Sequence, residues 1–274
     1  MKVFPCAKIN LGLNVVSRRA DGYHNLETVF YPVAIYDELE VEQLHDAPVG
    51  TGCQLALKGA ANLCAPADNL VVRAYNLISQ HHQLPPVKAT LTKGIPSQAG
   101  MGGGSSDAAF MIRLLNEQFN LGLSASQMRQ YAAMLGADCA FFIEAQPAYA
   151  TGIGDVLEPC SVPHLEGRYL ALVKPDVAVS TAQAYAGITP RAARHNCRDV
   201  VALPVAEWRD VLVNDFEEGI FQKLPILREV KEQMYANGAE YAAMSGSGST
   251  IFGIFAKEPD MTQFAGYYNK VIAI

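Results

Sequence analysis

The residues with the clearest chemical potential lie in a glycine-rich stretch, residues 96–107 (PSQAGMGGGSSD). Behind it, residues 108–120 (AAFMIRLLNEQFN) contain no Gly or Pro and are mostly apolar, which predicts a largely buried helix. The glycines therefore lie just before a helix start, where unpaired backbone N–H groups and the positive end of the helix dipole can face an anion. Because glycines lack Cβ atoms, the backbone can approach that anion closely. The pattern favours a phosphate-binding loop.

A glycine-rich surface turn with an ordinary Ser or Asp cap is the alternative interpretation of this stretch. Such a cap needs one or two of these residues, whereas three consecutive glycines followed by two serines stand here. The stretch is not a Walker A loop, because no Gly-Lys-Ser/Thr follows the glycines. The G-x-G-x-x-G pattern also fails, whether it is started at Gly100 or at Gly102. The phosphate-loop interpretation is favoured, but it matches neither of these two standard types.

Two polar residues near the N-terminus, Lys8 and Asn10, share one face of a predicted strand. Residues 7–15 alternate strictly between apolar residues and polar residues or glycine. This period of two predicts a half-buried strand with Lys8 and Asn10 on its other face. A plain solvent-facing strand would look similar. Asn is a poor strand former, however, and two of them beside a glycine favour a polar face that points into a site.

A single carboxylate, Asp138, lies in small and apolar surroundings, residues 136–142 (GADCAFF). It could simply cap the following turn, as most such aspartates do. A carboxylate with reduced hydration is also available as a base or as an electrostatic anchor. The local sequence leaves both interpretations open.

A turn signal, Asp21-Gly22, joins the first predicted strand to residues 26–36. Arg19 and His24 beside it could be solvated loop residues, and Tyr23 could pack over the turn. From the local pattern alone this interpretation is at least as well supported as a functional one.

Other patterns predict the elements that hold these groups. Asp68-Asn69 caps a helix, residues 87–93 form a strand that leads directly into the glycine loop, and Ser124 with Gln127 makes a capping box for a helix that stops at Gly136. The turn-rich residues 152–167 predict a domain boundary. Beyond it we expect a strand at 169–173, a helix capped by Ser180, helices near 206–218 and 226–236, and a Gly/Ser turn at 245–249 between two strands. A second loop of this type could clamp phosphate groups together with the first.

Composition excludes several classes of protein. The net charge of the 274 residues is −6 and no cluster of Lys and Arg is present, which argues against a nucleic-acid partner. Six cysteines without a C-x-x-C pair predict reduced thiols of a cytoplasmic protein. The N-terminus does not resemble a signal peptide, and no apolar run approaches the ~18 residues that span a bilayer. We therefore expect a soluble, cytoplasmic protein without a membrane partner; the sequence carries no signal for an oligomeric state.

Three segments in order resemble the motifs of the GHMP kinases, the family of galactokinase, homoserine kinase, mevalonate kinase and phosphomevalonate kinase. They are residues 7–11 (AKINL), the core GMGGGSS within residues 96–106, and residues 244–248 (MSGSG). The resemblance covers nearly the whole chain. It implies an ATP-dependent small-molecule kinase with a two-domain α+β fold, an N-terminal domain of residues 1–157, a C-terminal domain of residues 158–274, and an active site in the cleft between domains.

Residues 19–24 (RADGYH) and 136–138 (GAD) resemble one branch of that family. This branch phosphorylates a hydroxyl of a cytidine diphosphate sugar-alcohol conjugate in the non-mevalonate route to isoprenoid precursors. The two expected small-molecule partners are therefore ATP, with Mg²⁺ carried in on it, and that conjugate. No protein ligand of the metal is predicted.

The resemblance also implies roles for individual residues. Asp138 is the general base for the acceptor hydroxyl, and Lys8 beside it stabilises charge during transfer of the γ-phosphoryl group. The residues implied to bind ATP are Pro96, Ser97, Gln98, Ala99, Gly100, Met101, Gly102, Gly103, Gly104, Ser105 and Ser106 around the phosphates, with Asn69 and Lys93 near the adenosine. Those implied to bind the cytidine part of the acceptor are Asn10, Tyr23 and His24, with Tyr185 stacking on the cytosine from the other side.

The chain departs from the family pattern at two positions. Gln98 stands where the loop usually has a small residue, and Ala140 stands where proline is common.

Two rival functions are compatible with parts of this pattern. Another small-molecule kinase of this fold would keep Lys8, Asp138 and the loop but lack a cytosine clamp. A nucleotide-binding module without catalysis would be expected to lack the Lys8–Asp138 pair, so the presence of both residues favours an enzyme.

Overall fold

The computed structural model describes residues 1–48, 50–59 and 64–274, which combine helices and sheets in an α+β fold. The strands in this part of the chain are β1 (Lys2–Val3), β2 (Cys6–Arg18), β3 (His24–Tyr36), β4 (Glu38–Gln43), β5 (Cys53–Lys58), β6 (Val87–Thr92), β7 (Ala148–Thr151), β8 (Val156–Pro159), β9 (Tyr169–Lys174), β10 (Tyr241–Met244), β11 (Ile251–Phe255) and β12 (Tyr268–Ala273). The helices are α1 (Leu70–Ser79), α2 (Gly103–Gln118), α3 (Ala125–Leu135), α4 (Thr181–Ala186), α5 (Cys197–Val201), α6 (Phe216–Lys223) and α7 (Pro225–Ala236). The predicted α+β class is confirmed.

The chain divides into two compact units. The first unit comprises Met1–Lys8, Pro32–Ser97 and Gly102–Gln146. The second unit comprises Ile9–Tyr31, Gln98–Met101 and Pro147–Ile274. The proposed domain boundary between residues 157 and 158 stays a prediction.

The first unit contains a sheet with the strand order β1-β4-β6-β5. Strand β4 runs antiparallel to β1 and β6, and β5 runs parallel to β6. Along β6 the side chains of Val87, Ala89 and Leu91 are buried, as the period of two predicts for a strand with one face on a core. Helices α1, α2 and α3 pack against one another, and α1 also contacts β5.

Helix ends in the first unit confirm the local capping signals. Asn69 is the N-cap of α1, and its side chain accepts a hydrogen bond from the backbone N–H of Val71 at 2.9 Å. Ser124 and Gln127 form the predicted capping box of α3, which ends before Gly136. These signals are reliable because each one satisfies backbone groups that the helix itself leaves unpaired.

Two further sheets have the strand orders β2-β3-β7-β8 and β10-β11-β9-β12. The second of them lies within the second unit, which also contains most of β2 and β3 and all of β7 and β8. In the second sheet all neighbouring strands are antiparallel. Helix α7 begins with a proline, which is tolerated in the first turn. It buries Leu227, Val230 and Met234 in a core shared with Phe216 of α6 and Phe255 of β11, so its apolar residues recur at helical spacing.

The structure corrects two predictions from the sequence. Strand β2 is not half-buried: Lys8 and Asn10 are each only 3% exposed, so both faces of the strand are covered. The prediction of a helix at 206–218 is also wrong, because α6 begins at Phe216 and Leu13 forms a bridge with Asn214 just before it. The backbone N–H of Leu13 bonds to the carbonyl of Val213, and a tertiary pairing of this kind overrides local helix propensity.

The six cysteines are free thiols, of which Cys6, Cys139 and Cys197 are buried. Among the helices of the described residues, none combines the length and the apolar character needed to cross a membrane.

Candidate active site

Lys8 and Asp138 lie side by side in the first unit. The Nζ atom of Lys8 is 3.2 Å from Oδ2 of Asp138. Strand β2 carries the lysine, whose side chain is 4% exposed, whereas the side chain of Asp138 is 35% exposed. Asp138 stands at the start of a 3₁₀ segment, Ala137–Ile143, directly after the end of α3. The pair offers a fixed positive charge beside a carboxylate that another molecule can reach.

Gly102 of the glycine loop packs directly on this lysine. It is the N-cap of α2 and has a φ of 70°, in the left-handed region that glycine tolerates. A Cβ atom at this position would lie 2.8 Å from Cζ of Phe142 and 3.2 Å from Cε of Lys8. The absence of a side chain therefore lets the loop backbone approach the Lys8–Asp138 pair.

Helix α2 begins within the glycines, at Gly103, and not after them as the sequence predicted. Its first intrahelical bond runs from the N–H of Ser106 to the carbonyl of Gly102 at 2.9 Å. The N–H groups of Gly103, Gly104 and Ser105 precede that bond and have no acceptor within the helix. These are the groups that bind phosphate at a helix N-terminus, so a helix that starts within the glycines favours an anion site.

Lys93, predicted to lie near adenosine, is held by two buried carboxylates of the first unit. Its Nζ atom donates to Oδ2 of Asp107 at 2.6 Å and also to Oδ2 of Asp37. Burial acts against the ammonium group, but the two carboxylates more than offset this effect and raise the pKa of Lys93. Burial also raises the pKa of Asp107, to about 8, although Lys93 partly counteracts it. Asn69, the other residue predicted near adenosine, is the cap of α1 described above.

Loop residues 98–101 belong to the second unit and contact its Gly/Ser turn. The hydroxyl of Ser245 donates to the carbonyl of Gly100 at 2.9 Å, and the N–H of Thr250 bonds to the carbonyl of Ala99 at 3.2 Å. Gly100 has a φ of 72°, and a Cβ atom there would overlap the carbonyl oxygen of Ser245. Gln98 also has a positive φ, 51°, which is unfavourable for a residue with a side chain. Residues 98–101 and the Gly/Ser turn are thus joined by hydrogen bonds within the second unit.

Asn10, predicted to contact the acceptor, is buried in the second unit. Its side-chain amide donates to Oγ1 of Thr28 at 3.0 Å. Its Oδ1 atom would lie 3.2 Å from a Cβ atom built on Gly246, so it is close to the Gly/Ser turn. A buried, hydrogen-bonded amide has a fixed orientation, which suits a recognition role.

The other predicted acceptor residues all carry aromatic rings and lie on β3, α4 and the turn before β3. The rings of His24 and Tyr185 are stacked, with centroids 5.0 Å apart and an interplanar angle of 18°. Tyr185 in turn meets Phe216 edge to face at 4.9 Å. Tyr23 lies in the turn before β3 and is 62% exposed. The structure therefore brings His24 and Tyr185 together and leaves Tyr23 accessible.

The structure also identifies residues that the sequence did not single out. Asp37 carries no local signal, because one aspartate at a strand end is usually solvated. Asp107 follows the loop directly and could have been suspected from that position. Asn214 donates to the carbonyls of Met244 and Gly246 at 2.7 and 2.8 Å and so holds the start of the Gly/Ser turn. The same residue forms the bridge to Leu13.

Comparison with known proteins agrees with this geometry. Residues 69–146 match the family model of the GHMP kinases N terminal domain, and residues 203–273 match that of the GHMP kinases C terminal domain. A relative from Bacteroides fragilis named 4-diphosphocytidyl-2-C-methyl-D-erythritol kinase is 50% identical, with 96% of this chain and 95% of that protein covered. A protein of the same name from Bacteroides thetaiotaomicron is 48% identical, with 94% and 93% covered.

Solved structures are similar over the same length. A crystal structure of 4-(cytidine 5'-diphospho)-2C-methyl-D-erythritol kinase is 32% identical, with a TM-score of 0.76 over 93% of this chain and 90% of that chain. The mevalonate kinase of Methanococcus jannaschii has a TM-score of 0.70 over 99% and 96% of the two chains, but at 12% identity it shows the fold alone. The chain belongs to the GHMP kinases and is an ATP-dependent small-molecule kinase.

Proposed function

We propose that this chain transfers the γ-phosphoryl group of ATP to the 2-hydroxyl of 4-diphosphocytidyl-2-C-methyl-D-erythritol, a step of the non-mevalonate route to isoprenoid precursors. The observation that carries the chemistry is the Lys8–Asp138 pair, packed through Lys8 against Gly102 of the glycine loop. The acceptor follows from the relatives of that name at 50% and 48% identity over nearly the full length.

Asp138 acts as the general base in this proposal. As the acceptor oxygen attacks the γ-phosphorus, its O–H proton passes to the carboxylate of Asp138, the new P–O bond forms, and ADP leaves with the electrons of the broken P–O bond. The exposure of Asp138 makes it reachable by a substrate hydroxyl. The buried Lys8 supplies a fixed positive charge that stabilises the transferring phosphoryl group, and little reorganisation is needed because Lys8 is already in place.

The glycine loop binds the ATP phosphates through backbone N–H groups. Support comes from the N–H groups of Gly103, Gly104 and Ser105 at the start of α2, where the helix dipole favours negative charge. The proposed ATP-binding set keeps all of residues 96–106. It also includes Asn69, the N-cap of α1, and Lys93, which donates to Asp107 of α2.

Magnesium enters this proposal as part of the substrate, Mg²⁺·ATP. In the described part of the chain, no group of three or more His, Cys, Asp or Glu side chains could hold a metal ion. Mg²⁺ commonly keeps several waters and binds through substrate phosphates with only one or two carboxylates. We therefore propose that the ion arrives on the triphosphate. The free cysteines further support a reducing compartment, and we place the enzyme in the cytoplasm.

The cytidine part of the acceptor is recognised by Asn10, Tyr23, His24 and Tyr185. The imidazole of His24 covers one face of Tyr185, so a cytosine that stacks on that face displaces the imidazole. The ring nitrogens of His24 form hydrogen bonds in the plane of the imidazole, so stacking does not occupy them and they can bond to the base. The exposed ring of Tyr23 supplies a second stacking surface.

A coupled assay of ADP release with a panel of acceptors tests this function. The panel comprises the cytidine diphosphate conjugate, free methylerythritol, mevalonate, homoserine and galactose. We expect turnover with the conjugate and little with the others, because the cytidine contacts supply the binding energy that positions the hydroxyl. Equal phosphorylation of mevalonate or homoserine would contradict the proposed acceptor.

A further inference from the structure

We propose that Asp37 and Asp107 are positioning residues of the phosphate loop, which they hold in shape through the ammonium group of Lys93. The inference rests on the proposed role of this loop in ATP binding. It concerns two residues outside the ATP-binding set given above, and all the contacts that carry it lie within the first unit.

Asp37 organises the chain segment that leads into the loop. It stands between β3 and β4 and is 1% exposed. Its Oδ1 atom accepts hydrogen bonds from the backbone N–H groups of Gly94 and Ile95, at 2.6 and 2.8 Å. Its Oδ2 atom accepts from Lys93. One carboxylate thus fixes three consecutive residues immediately before the loop begins.

Lys93 connects this segment to the helix on the other side of the loop. The same ammonium group donates to Oδ2 of Asp107, a residue in α2 that is 3% exposed. It also lies 3.4 Å from the position that a Cβ atom on Gly103 would occupy. Residues 93–95 and the first turns of α2 are therefore joined at a single atom, Nζ of Lys93.

The charges at this junction can balance. Two carboxylates surround one ammonium group, and burial raises the pKa of Asp107 to about 8. Near neutral pH Asp107 is then mostly protonated, which removes one of the two negative charges beside the ammonium group of Lys93. The Oδ1 atom of Asp107 is buried and has no hydrogen-bond partner among the described residues. A negative charge on such an atom would be costly, which agrees with a protonated carboxyl group.

A loop held at both ends is ready to bind phosphate. If Asp37 or Asp107 no longer bonds to Lys93, the loop adopts its ATP-binding conformation for a smaller fraction of the time. The apparent affinity for ATP then falls in proportion to that fraction. The acceptor is bound by other residues, so its KM should change little. This separation between the two substrates distinguishes positioning of the loop from a general loss of structure.

The test compares steady-state kinetics and calorimetric ATP binding for Asp37→Ala, Asp37→Asn, Asp107→Ala and Asp107→Asn. Glu38→Gln is the matched control. Glu38 is adjacent to Asp37 in sequence and also pairs with a lysine, Lys2, at 2.7 Å, but both side chains are 41% exposed. Thermal unfolding verifies that each variant is folded at the assay temperature.

We expect both Asp37 variants and Asp107→Ala to raise the ATP KM and Kd by about 10-fold or more, the scale of a lost charge-assisted hydrogen bond. Asp107→Asn keeps an oxygen acceptor for Lys93 and should stay within about three-fold of wild type, as should Glu38→Gln. The acceptor KM should change less than about two-fold in all of them. If Asp37→Ala does not fold, Asp37→Asn retains an acceptor for the two backbone N–H groups and still removes the charge.

Unchanged ATP KM and Kd in folded Asp37→Asn and Asp107→Ala would overturn the inference. The inference would also be overturned if the variants showed only a lower melting temperature and a smaller fraction of active protein, since that result indicates a structural role alone. Failure of the proposed function is distinguishable, because wild type would then show no turnover with the conjugate.

Discussion

Lys8 Nζ lies 3.2 Å from Asp138 Oδ2, and the two side chains differ sharply in exposure, at 4% and 35%. The buried lysine is fixed within β2, while the aspartate at the start of the 3₁₀ segment faces solvent on one side. This asymmetry assigns different roles to the two residues. The cation serves as a permanent electrostatic partner, and the carboxylate serves as the group that exchanges a proton with substrate.

Lys8→Met removes the charge and keeps much of the side-chain bulk. We expect kcat to fall by roughly 10²–10³-fold, because a positive charge that stabilises the transferring phosphoryl group is lost. Steady-state kinetics with both substrates saturating measures the effect. Lys8→Arg keeps the charge and should retain more activity than Lys8→Met. Turnover of Lys8→Met within a few-fold of wild type would show that the lysine has no catalytic role.

How far the sequence predicts this site depends on the range of the interactions. The glycine loop and the caps of α1 and α3 are local features, and each was predicted from a few neighbouring residues. The contact of Asp37 with Lys93 cannot be predicted in this way, because 56 positions separate the two residues along the chain. Nothing in the residues around Asp37 shows that its carboxylate is turned inward.

The errors in the fold have the same origin. Strand β2 shows an alternating pattern, but its polar residues are covered by distant parts of the chain. Asn14, for example, donates to the carbonyl of His195 at 3.2 Å. The segment before α6 contains residues compatible with a helix, yet Asp215 bonds through its N–H to the carbonyl of Leu13 and through Oδ2 to the N–H of Val15. Hydrogen bonds between residues so far apart along the chain cannot be predicted from the local sequence.

Gly100→Ala tests the contact between the glycine loop and the Gly/Ser turn. The new Cβ atom would overlap the carbonyl oxygen of Ser245, and the residue would also keep a left-handed φ of 72°. Gly122 is the matched control, since its φ is 71° but no atom lies within 4 Å of the position of a Cβ. Urea unfolding should show a loss of about 1 kcal/mol for Gly122→Ala from backbone strain alone.

For Gly100→Ala we expect a further loss of about 1–3 kcal/mol from overlap. The ATP KM should also rise, because the loop must shift to relieve the contact. Equal destabilisation by the two substitutions would show that the loop and the turn are not in tight contact.

The pKa of Asp107 predicts how stability depends on pH. Burial raises this pKa from 3.8 to about 8, so the folded protein keeps a proton that the unfolded chain has released over that range. The contribution of Asp107 to the free energy of unfolding therefore falls as the pH rises from about 4 to about 8. The free energy of unfolding of wild type, minus that of Asp107→Asn, should decrease between about pH 5 and about pH 8. A difference that stays constant or increases would mean that Asp107 is ionised throughout.

Recognition of the acceptor is tested at the aromatic residues. Tyr23→Ala and Tyr185→Ala should each raise the acceptor KM by about ten-fold to a hundred-fold, the scale of losing one base-stacking contact. Tyr185→Phe keeps the ring that stacks on His24 and should remain close to wild type. The ATP KM should stay near its original value in all three variants. An unchanged acceptor KM in Tyr23→Ala and Tyr185→Ala would exclude the cytosine clamp.

The central claim is that Asp138 is the base of a phosphoryl transfer, and Asp138→Asn tests it most directly. The amide preserves the shape of the side chain but is not basic enough to take the proton of the acceptor hydroxyl. Calorimetry should show ATP affinity close to wild type, and thermal unfolding should show an intact fold. Under saturating substrates we predict that kcat falls by roughly 10²–10⁴-fold. Near-normal turnover by the folded Asp138→Asn protein would contradict the account.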